Sequence, residues 1–386
     1  MELRLDRSKS YALALAGGGA RGAYEVGVWD ALVQAGIRID AVSGTSIGAM
    51  NGAFVATGEL QRAKDIWMQL SYKDVMDADP EILDRISKKD WTDLDLRQAT
   101  EFLKQTIAGK GLDIGPMRET MRAVIDEGKV RASSVDYYIV TCSVDDKKEL
   151  ELRVRDLPYG DLYDMLLASA YLPVFRNEKL GGKRYLDGGF MDVMPVHVLV
   201  ENGYRDIIGV SCNAVGFKRK VDLPEGTNYW EVSPRAYIGT VLEFDPKQSV
   251  QNLQTGYCDG MRLLYGLAGK DYYIDRTYTE ENAYSLLLTF AETFLNATDR
   301  KMTLREINEK FLPKIASRAK AGGNDYYDLL LAALEVAAAE AGIDRYRIYT
   351  EDELITEVLA YYPLSEGIVP RGLQSRLMTF LEDTFS

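Results

Sequence analysis

The feature that most restricts this chain is Gly44-Thr45-Ser46-Ile47-Gly48, a G-x-S-x-G with serine at its centre. It follows a short apolar run ending at Ser43 and opens a stretch of small and apolar residues from Ile47 to Val55. Read as strand, tight turn and helix, it holds Ser46 on a sharp bend with its hydroxyl directed away from the backbone. Gly44 and Gly48 answer for the close approach of strand and helix, where a Cβ would clash. The first amides of the helix point at the same spot, where negative charge is stabilised. The arrangement suits a nucleophile and demands an α/β framework to carry it.

A second motif lies upstream. Tyr11 to Ala16 reads as a buried strand, and it enters Gly17-Gly18-Gly19-Ala20-Arg21-Gly22. A helix over roughly 23–35 is closed by Gly36, and Ile37 to Ser43 is the next strand. Strand, glycine loop, helix, strand, serine turn, helix implies a parallel sheet with helices on its faces. Gly17-x-Gly19-x-x-Gly22 also fits the dinucleotide fingerprint, with Asp40 about 20 residues on, where a ribose-binding acid belongs. On the loop alone, a nicotinamide or flavin enzyme would follow. The serine turn directly after Asp40 favours another use, in which amides of Gly17, Gly18, Gly19 and Ala20 form an oxyanion hole beside Ser46. Arg21 has two readings, as a loop-fixing arginine or as a contact for a head-group phosphate.

Short helical patterns fill 60–129, around Ile66, Trp67 and Leu70, then Ile82, Leu83 and Ile86, then Phe102, Leu103 and Ile107, then Met117 to Ile125. They read as an insertion over one face of the sheet, either a cover for an apolar substrate or a plain helical layer. Val135 to Val144 is a strong buried strand, with Leu150 to Val154 as its hairpin partner. A helix over 163–169, a short strand over 183–186 ending on Asp187-Gly188-Gly189, a helix over 196–202 and a strand over 206–211 complete the core. The expected organisation is a three-layer α/β/α core over 9–215 with a mostly parallel central sheet. A mainly helical extension follows over 216–386. In that extension Thr303-x-x-Glu306 and Thr350-x-x-Glu353 read as capping boxes, and Asn324 as a cap. The last helix, 372–385, carries an apolar stripe that could meet a membrane or partner but in a soluble chain packs on the protein body.

Acidic residues outnumber basic ones, 59 to 46, for a net charge of −13. That balance argues against a nucleic-acid partner and against electrostatic docking on an anionic membrane, leaving room for a transient apolar contact. Cys142, Cys212 and Cys258 are far apart and form neither a disulfide framework nor a metal-ligand pattern. With no signal-peptide pattern and no apolar run near the ~20 residues of a membrane span, the expected location is the cytoplasm, with membrane-peripheral contact allowed. No metal or cofactor is expected, and oligomeric state is not encoded in any pattern.

A serine nucleophile needs a base. The order Ser46, Asp187, His197 matches that of α/β-hydrolases, but His197, the one histidine, starts a helix that leads away from the strand end carrying Asp187. Geometry rather than order makes a triad. Asp187, followed by Gly188 and Gly189, is the better candidate, although D-G-G alone also suits an ordinary turn. The glycine loop, the serine turn and Asp187-Gly188-Gly189, in this order, resemble the patatin-like phospholipases, as does Ala168-Ser169-Ala170-Tyr171-Leu172-Pro173-Val174-Phe175 ahead of the aspartate. The resemblance covers roughly 13–213. It implies a Ser46–Asp187 dyad without histidine, an acyl-serine intermediate and hydrolysis of lipid or other acyl esters. Many relatives carry asparagines shortly after D-G-G, where this chain has Asp192 and Val193. A protein that binds lipid without turning it over is the other reading of the same fold.

Overall fold

The computed structural model describes residues 1–77, 101, 111–173, 175–176, 178–214, 216–297, 301–323 and 325–361. The helical patterns around Ile82 and Phe102 and the last helix, 372–385, lie outside the described residues. The chain divides into two units, Leu3–Leu264 and Tyr265–Ser386, the second joined by Met1–Glu2.

The first unit is built on a seven-stranded sheet in the order β4-β3-β2-β1-β6-β7, with β5 paired to β3. Its strands are β1 Ser10–Leu15, β2 Arg38–Thr45, β3 Asp136–Ser143, β4 Lys148–Arg153, β5 Tyr185–Asp187, β6 Asp206–Val210 and β7 Asn228–Val232. β1, β2, β3, β6 and β7 are mutually parallel, while β4 and β5 run antiparallel to β3. The described helices are α1 Ala23–Gln34, α2 Ile47–Thr57, α3 Leu60–Trp67, α4 Tyr72–Val75, α5 Gly115–Val124, α6 Glu127–Ala132, α7 Leu162–Ser169, α8 Val196–Glu201 and α9 Pro246–Tyr265.

β1 shows how the sequence specifies layers. Its alternation of alanine with larger side chains sends Ala12, Ala14 and Ala16 into one cluster with Val196, Val198 and Leu199 of α8. Leu13 and Leu15, pointing the opposite way, are equally buried. A strand buried on both faces belongs to the middle of a three-layer α/β/α sandwich, as the alternating pattern implies.

The boundary expected near residue 215 falls instead after Leu264. Two elements carry the first unit past 215. β7 extends the sheet by pairing in parallel with β6. α9 lies against α1 so closely that a Cβ on Gly256 would come within 2.0 Å of the Tyr24 carbonyl, and the Tyr24 hydroxyl donates to Asp259 at 3.0 Å. The start of the stretch expected to be a mainly helical extension therefore contains a strand.

The second unit is mainly helical, as expected, with helices Glu280–Ala297, Leu312–Ala319, Tyr326–Glu340 and Glu351–Tyr361. They gather around Ile274, Leu287, Phe311, Leu331, Tyr349 and Leu354. Both capping boxes form, at Thr303 with Glu306 and at Thr350 with Glu353. The described cap of helix Tyr326–Glu340 is Asp325, accepting from the Asp328 amide, and the expected cap Asn324 lies outside the described residues. A two-stranded parallel sheet, β8 Tyr273–Asp275 with β9 Ile348–Thr350, has no counterpart in the sequence reading.

Candidate active site

The site is made where one strand replaces another. β2 pairs along β3 up to Thr45 opposite Val140, and there the chain turns off into Ser46. One position further along β3, Thr141 is paired with Asp187 of β5. β5 thus occupies the path that β2 vacates, and the carboxylate arrives beside the serine. The Asp187 carboxylate accepts the Gly189 N–H at 2.8 Å, and the Ser46 side chain is near enough to pull the pKa of that carboxyl downward. Both side chains are buried.

Ser46 has φ 56°, a left-handed conformation that costs a non-glycine residue of order 1–3 kcal/mol and persists only where the surroundings enforce it. The enforcement is visible. A Cβ on Gly44 would meet the Gly48 carbonyl at 2.4 Å, and one on Gly48 would meet the Leu15 carbonyl at 2.5 Å, so strand and helix touch backbone to backbone. The Ser46 N–H donates to Ser169 Oγ at 2.8 Å, and Ser169 Oγ donates to the Val140 carbonyl at 2.6 Å. Ser169, at the end of α7, is a site residue that the sequence reading quoted only within the segment ahead of the aspartate.

The glycine loop lies beside Ser46, with Gly17 close enough that its Cβ would sit 3.3 Å from that of Ser46. The four residues expected to supply oxyanion donors divide in two. The Gly17 N–H is taken by Val193 O at 2.8 Å and the Ala20 N–H by Val241 O at 2.8 Å. Among the described residues no acceptor takes the Gly18 or Gly19 N–H. The expected set thus narrows to Gly18 and Gly19, because a backbone amide already donated cannot also meet an oxyanion. Gly19 has φ 56° and leaves a Cβ only 2.1 Å from Val241 O, so that position admits glycine alone.

Arg21 is buried, donating Nε to Gly239 O at 2.9 Å and Nη1 to Asn213 O at 2.8 Å. Its loop-fixing reading is the one the contacts fit. Gly22 is held from behind. Asn51 donates to Gly22 O at 2.9 Å and to Glu25 Oε2 at 2.7 Å, and accepts from Trp67 Nε1 at 3.0 Å. Burial pushes the Glu25 carboxyl up to about 8, against the pull of its Asn51 hydrogen bond.

Burial likewise raises the Asp187 carboxyl to about 6, with the Ser46 side chain and the hydrogen bond from Gly189 opposing it. A carboxylate so placed is a better proton acceptor near neutral pH than an exposed aspartate.

Two other sequence readings fail on geometry. Asp40 is exposed and sits in the first half of β2, past the point where Tyr11 of β1 pairs with Ile39. It is at the opposite end of the strands from the glycine loop and cannot meet a ribose bound there. His197 has Nδ1 2.8 Å from Asp192 and Nε2 3.1 Å from Glu151, so neither ring nitrogen faces Ser46. Among the described residues, Glu149, Glu151 and His197 form the one histidine–carboxylate group with metal-ligand spacing, their atoms lying within 4.8 Å of one another. A cavity of about 370 Å³ lined by Lys73, Met76, Asp77, Asp113, Gly115, Pro116 and Glu119 includes none of the motif residues.

A serine turn, a glycine loop and an aspartate turn thus meet at the strand ends of one mostly parallel sheet. Residues 13–200 match the patatin-like phospholipase family, and the chain carries a domain of that family. Similar proteins include patatin-like phospholipase domain-containing protein 7 of Rattus norvegicus, 25% identical over 227 residues. That match covers 58% of this chain and 15% of the relative. Neuropathy target esterase sws of Drosophila melanogaster is 26% identical over 225 residues, 57% of this chain and 14% of the relative. Lysophospholipase nte1 of Aspergillus terreus is 60% identical over 48 residues, 12% of this chain and 3% of the relative. The chain thus matches about 15% of the length of the rat relative. The structure is similar to that of VipD from Legionella pneumophila, with TM-score 0.43, 14% identity, and 96% and 94% of the two chains covered. Among the described residues, no helix is long and apolar enough to cross a membrane.

Proposed function

We propose that the chain is a lipid acyl hydrolase that cleaves carboxylic esters through an acyl-serine intermediate with a Ser46–Asp187 dyad. The observation that carries the reading is the placement of Asp187 against Ser46 by succession of β2 and β5 along β3. Ionised Asp187 takes the Ser46 proton as Oγ attacks the ester carbonyl. The carbonyl oxygen becomes an oxyanion, met by the Gly18 and Gly19 amides. Collapse breaks the bond to the alkoxy oxygen, and the proton held by Asp187 leaves with the alcohol. Water then gives a proton to Asp187 and its hydroxide equivalent to the acyl carbon, and as the tetrahedral adduct collapses Asp187 passes that proton to Ser46 Oγ and the carboxylic acid departs. The names of the relatives, phospholipase, lysophospholipase and esterase, support an acyl lipid as the substrate. The acidic surface favours approach to lipid through a transient apolar contact rather than through basic residues.

The test is direct. Ser46→Ala and Asp187→Ala, folded by circular dichroism, are expected to lose hydrolysis of a p-nitrophenyl acyl ester by roughly 10³-fold or more. A fluorophosphonate probe is expected to label Ser46 alone. Turnover that survives Asp187→Ala and vanishes in His197→Ala would move the base to the histidine. A wild-type chain that neither turns over esters nor takes the probe is the non-catalytic lipid binder.

A further inference from the structure

The segment Asp192 to Pro195 touches every part of the site without containing any of it. The Asp192 N–H donates to Gly188 O at 2.9 Å, next to Asp187. The Asp192 carbonyl accepts from Thr45 Oγ1 at 3.0 Å, next to Ser46. The Val193 carbonyl accepts the Gly17 N–H at 2.8 Å, in the glycine loop. The Pro195 carbonyl accepts from Ser43 Oγ at 2.9 Å, in the strand that leads to Ser46. Nucleophile, base and oxyanion loop are thus spaced by one short run of backbone.

That run is itself anchored by a single side chain. Asp192 is fully buried, and its Oδ1 accepts the Met194 N–H at 3.2 Å and the Arg219 N–H at 3.3 Å. Its Oδ2 lies 2.8 Å from His197 Nδ1. The other ring nitrogen faces the edge strand β4, 3.1 Å from Glu151 and 3.4 Å from Glu149. His197 therefore bridges the Asp192 turn to β4 from the first turn of α8. Three carboxylates surround one imidazole, with Arg219 3.8 Å from Glu149 as the other cation. Burial opposes the charged ring, but the hydrogen bonds to Asp192 and Glu151 and the nearby Glu149 carboxylate outweigh it and raise the imidazole, up to about 11.

We infer that His197 is a positioning residue: held between Asp192 and the β4 glutamates, it fixes the 192–195 segment and through it the mutual placement of Ser46, Asp187 and the glycine loop. The kinetic consequence rests on the acyl-hydrolase reading above; the clamp itself does not. A charged donor is needed because a buried carboxylate left without its partner is strongly destabilising. Small displacements of reacting groups are enough to matter, since about 1 Å can cost about 100-fold in rate.

The experiment compares the full-length wild type, His197→Gln and the double variant Asp192→Asn/His197→Gln. The readouts are p-nitrophenyl butyrate kinetics, thermal melting and residue-resolved hydrogen–deuterium exchange. In His197→Gln, kcat is expected to fall about 10- to 100-fold with KM within about threefold. Exchange is expected to rise at the Gly17, Asp192 and Val193 amides and to stay unchanged at Ile208 in β6. The double variant is expected to recover most of the lost kcat, because a neutral amide pair replaces the ion pair and leaves no buried carboxylate unpaired. Unchanged kcat and exchange in His197→Gln would overturn the clamp. So would a rise in exchange that includes Ile208 equally, which marks a general loss of stability, or a double variant no better than the single one. Loss of wild-type activity in EDTA, restored by a divalent cation, would make the cluster a metal site instead. If the wild type turns over no ester and takes no probe, the hydrolase reading falls, and the exchange pattern still decides the clamp.

Discussion

As the base of the proposed dyad, Asp187 meets two requirements that pull against each other. It must be dry enough to make a useful base and ionised enough to accept a proton. Burial pushing its carboxyl to about 6, rather than further, comes from the opposing pull of the Ser46 side chain and the Gly189 hydrogen bond. Since the ionised form is the working one, kcat/KM on a p-nitrophenyl ester is expected to fall about tenfold per pH unit below about 6 and to level off above it. A limb near pH 4 would indicate an exposed base. Glu25 faces no such compromise. Between 4.5 and about 8 the folded chain keeps a proton on Glu25 that the unfolded chain has released, so its burial lowers stability progressively as pH rises through that window. Glu25→Gln is expected to raise the thermal midpoint at pH 8, by an amount on the order of a few kcal/mol of stability, and to make little difference at pH 5. A variant whose advantage does not shrink toward pH 5 would show that the carboxyl is ionised in the fold.

Ser169 shows how an element can serve a site it does not carry. From the end of α7, its hydroxyl accepts from the Ser46 amide and donates to the Val140 carbonyl, tying turn, helix and β3 together. Ser169→Ala leaves a buried N–H and a buried C=O unpaired, which costs about 1–3 kcal/mol each and loosens the bend. It is expected to lower both the thermal midpoint and kcat, the latter more than KM, and wild-type kinetics in this variant would mean the bend holds itself. Such a role could not be seen in the sequence, because a serine within an apolar helix gives no periodic signal of its partner over 100 residues away. What could be seen was local. The apolar runs of β1, β2, β3 and β6, and the glycines that mark the turns between them, place the motifs at the strand ends. β7 escaped because Asn228–Val232 is short and embedded in a charged, proline-containing stretch, and its identity as a strand depends on pairing with β6. The two oxyanion candidates with occupied amides escaped for the same reason, their acceptors, Val193 and Val241, lying far along the chain.

At the scale of the whole molecule, the boundary expected at residue 215 leaves β7 and α9 outside the first unit to which they belong. α9 is polar enough on average to pass for part of the extension, yet its glycines close on α1 of the first unit. A chain ended after Leu264 is expected to keep a cooperative melt and turnover, whereas one ended at residue 215, lacking β7 and α9, is expected to be insoluble or molten by circular dichroism and dye binding. Equal behaviour of the two would place the boundary back at 215. The succession of β2 by β5 along β3 has a further meaning. Because adjacent strand positions face opposite ways, the Thr141–Asp187 pairing admits no intermediate setting. Sliding β5 by a single residue would send the carboxylate to the far side of the sheet and offer Leu186 or Gly188 in its stead. Reactivity in this chain is accordingly quantised by the ladder: evolution or design can lengthen the loop ahead of β5 freely, but only insertions that preserve the parity of that strand leave a proton acceptor beside the serine.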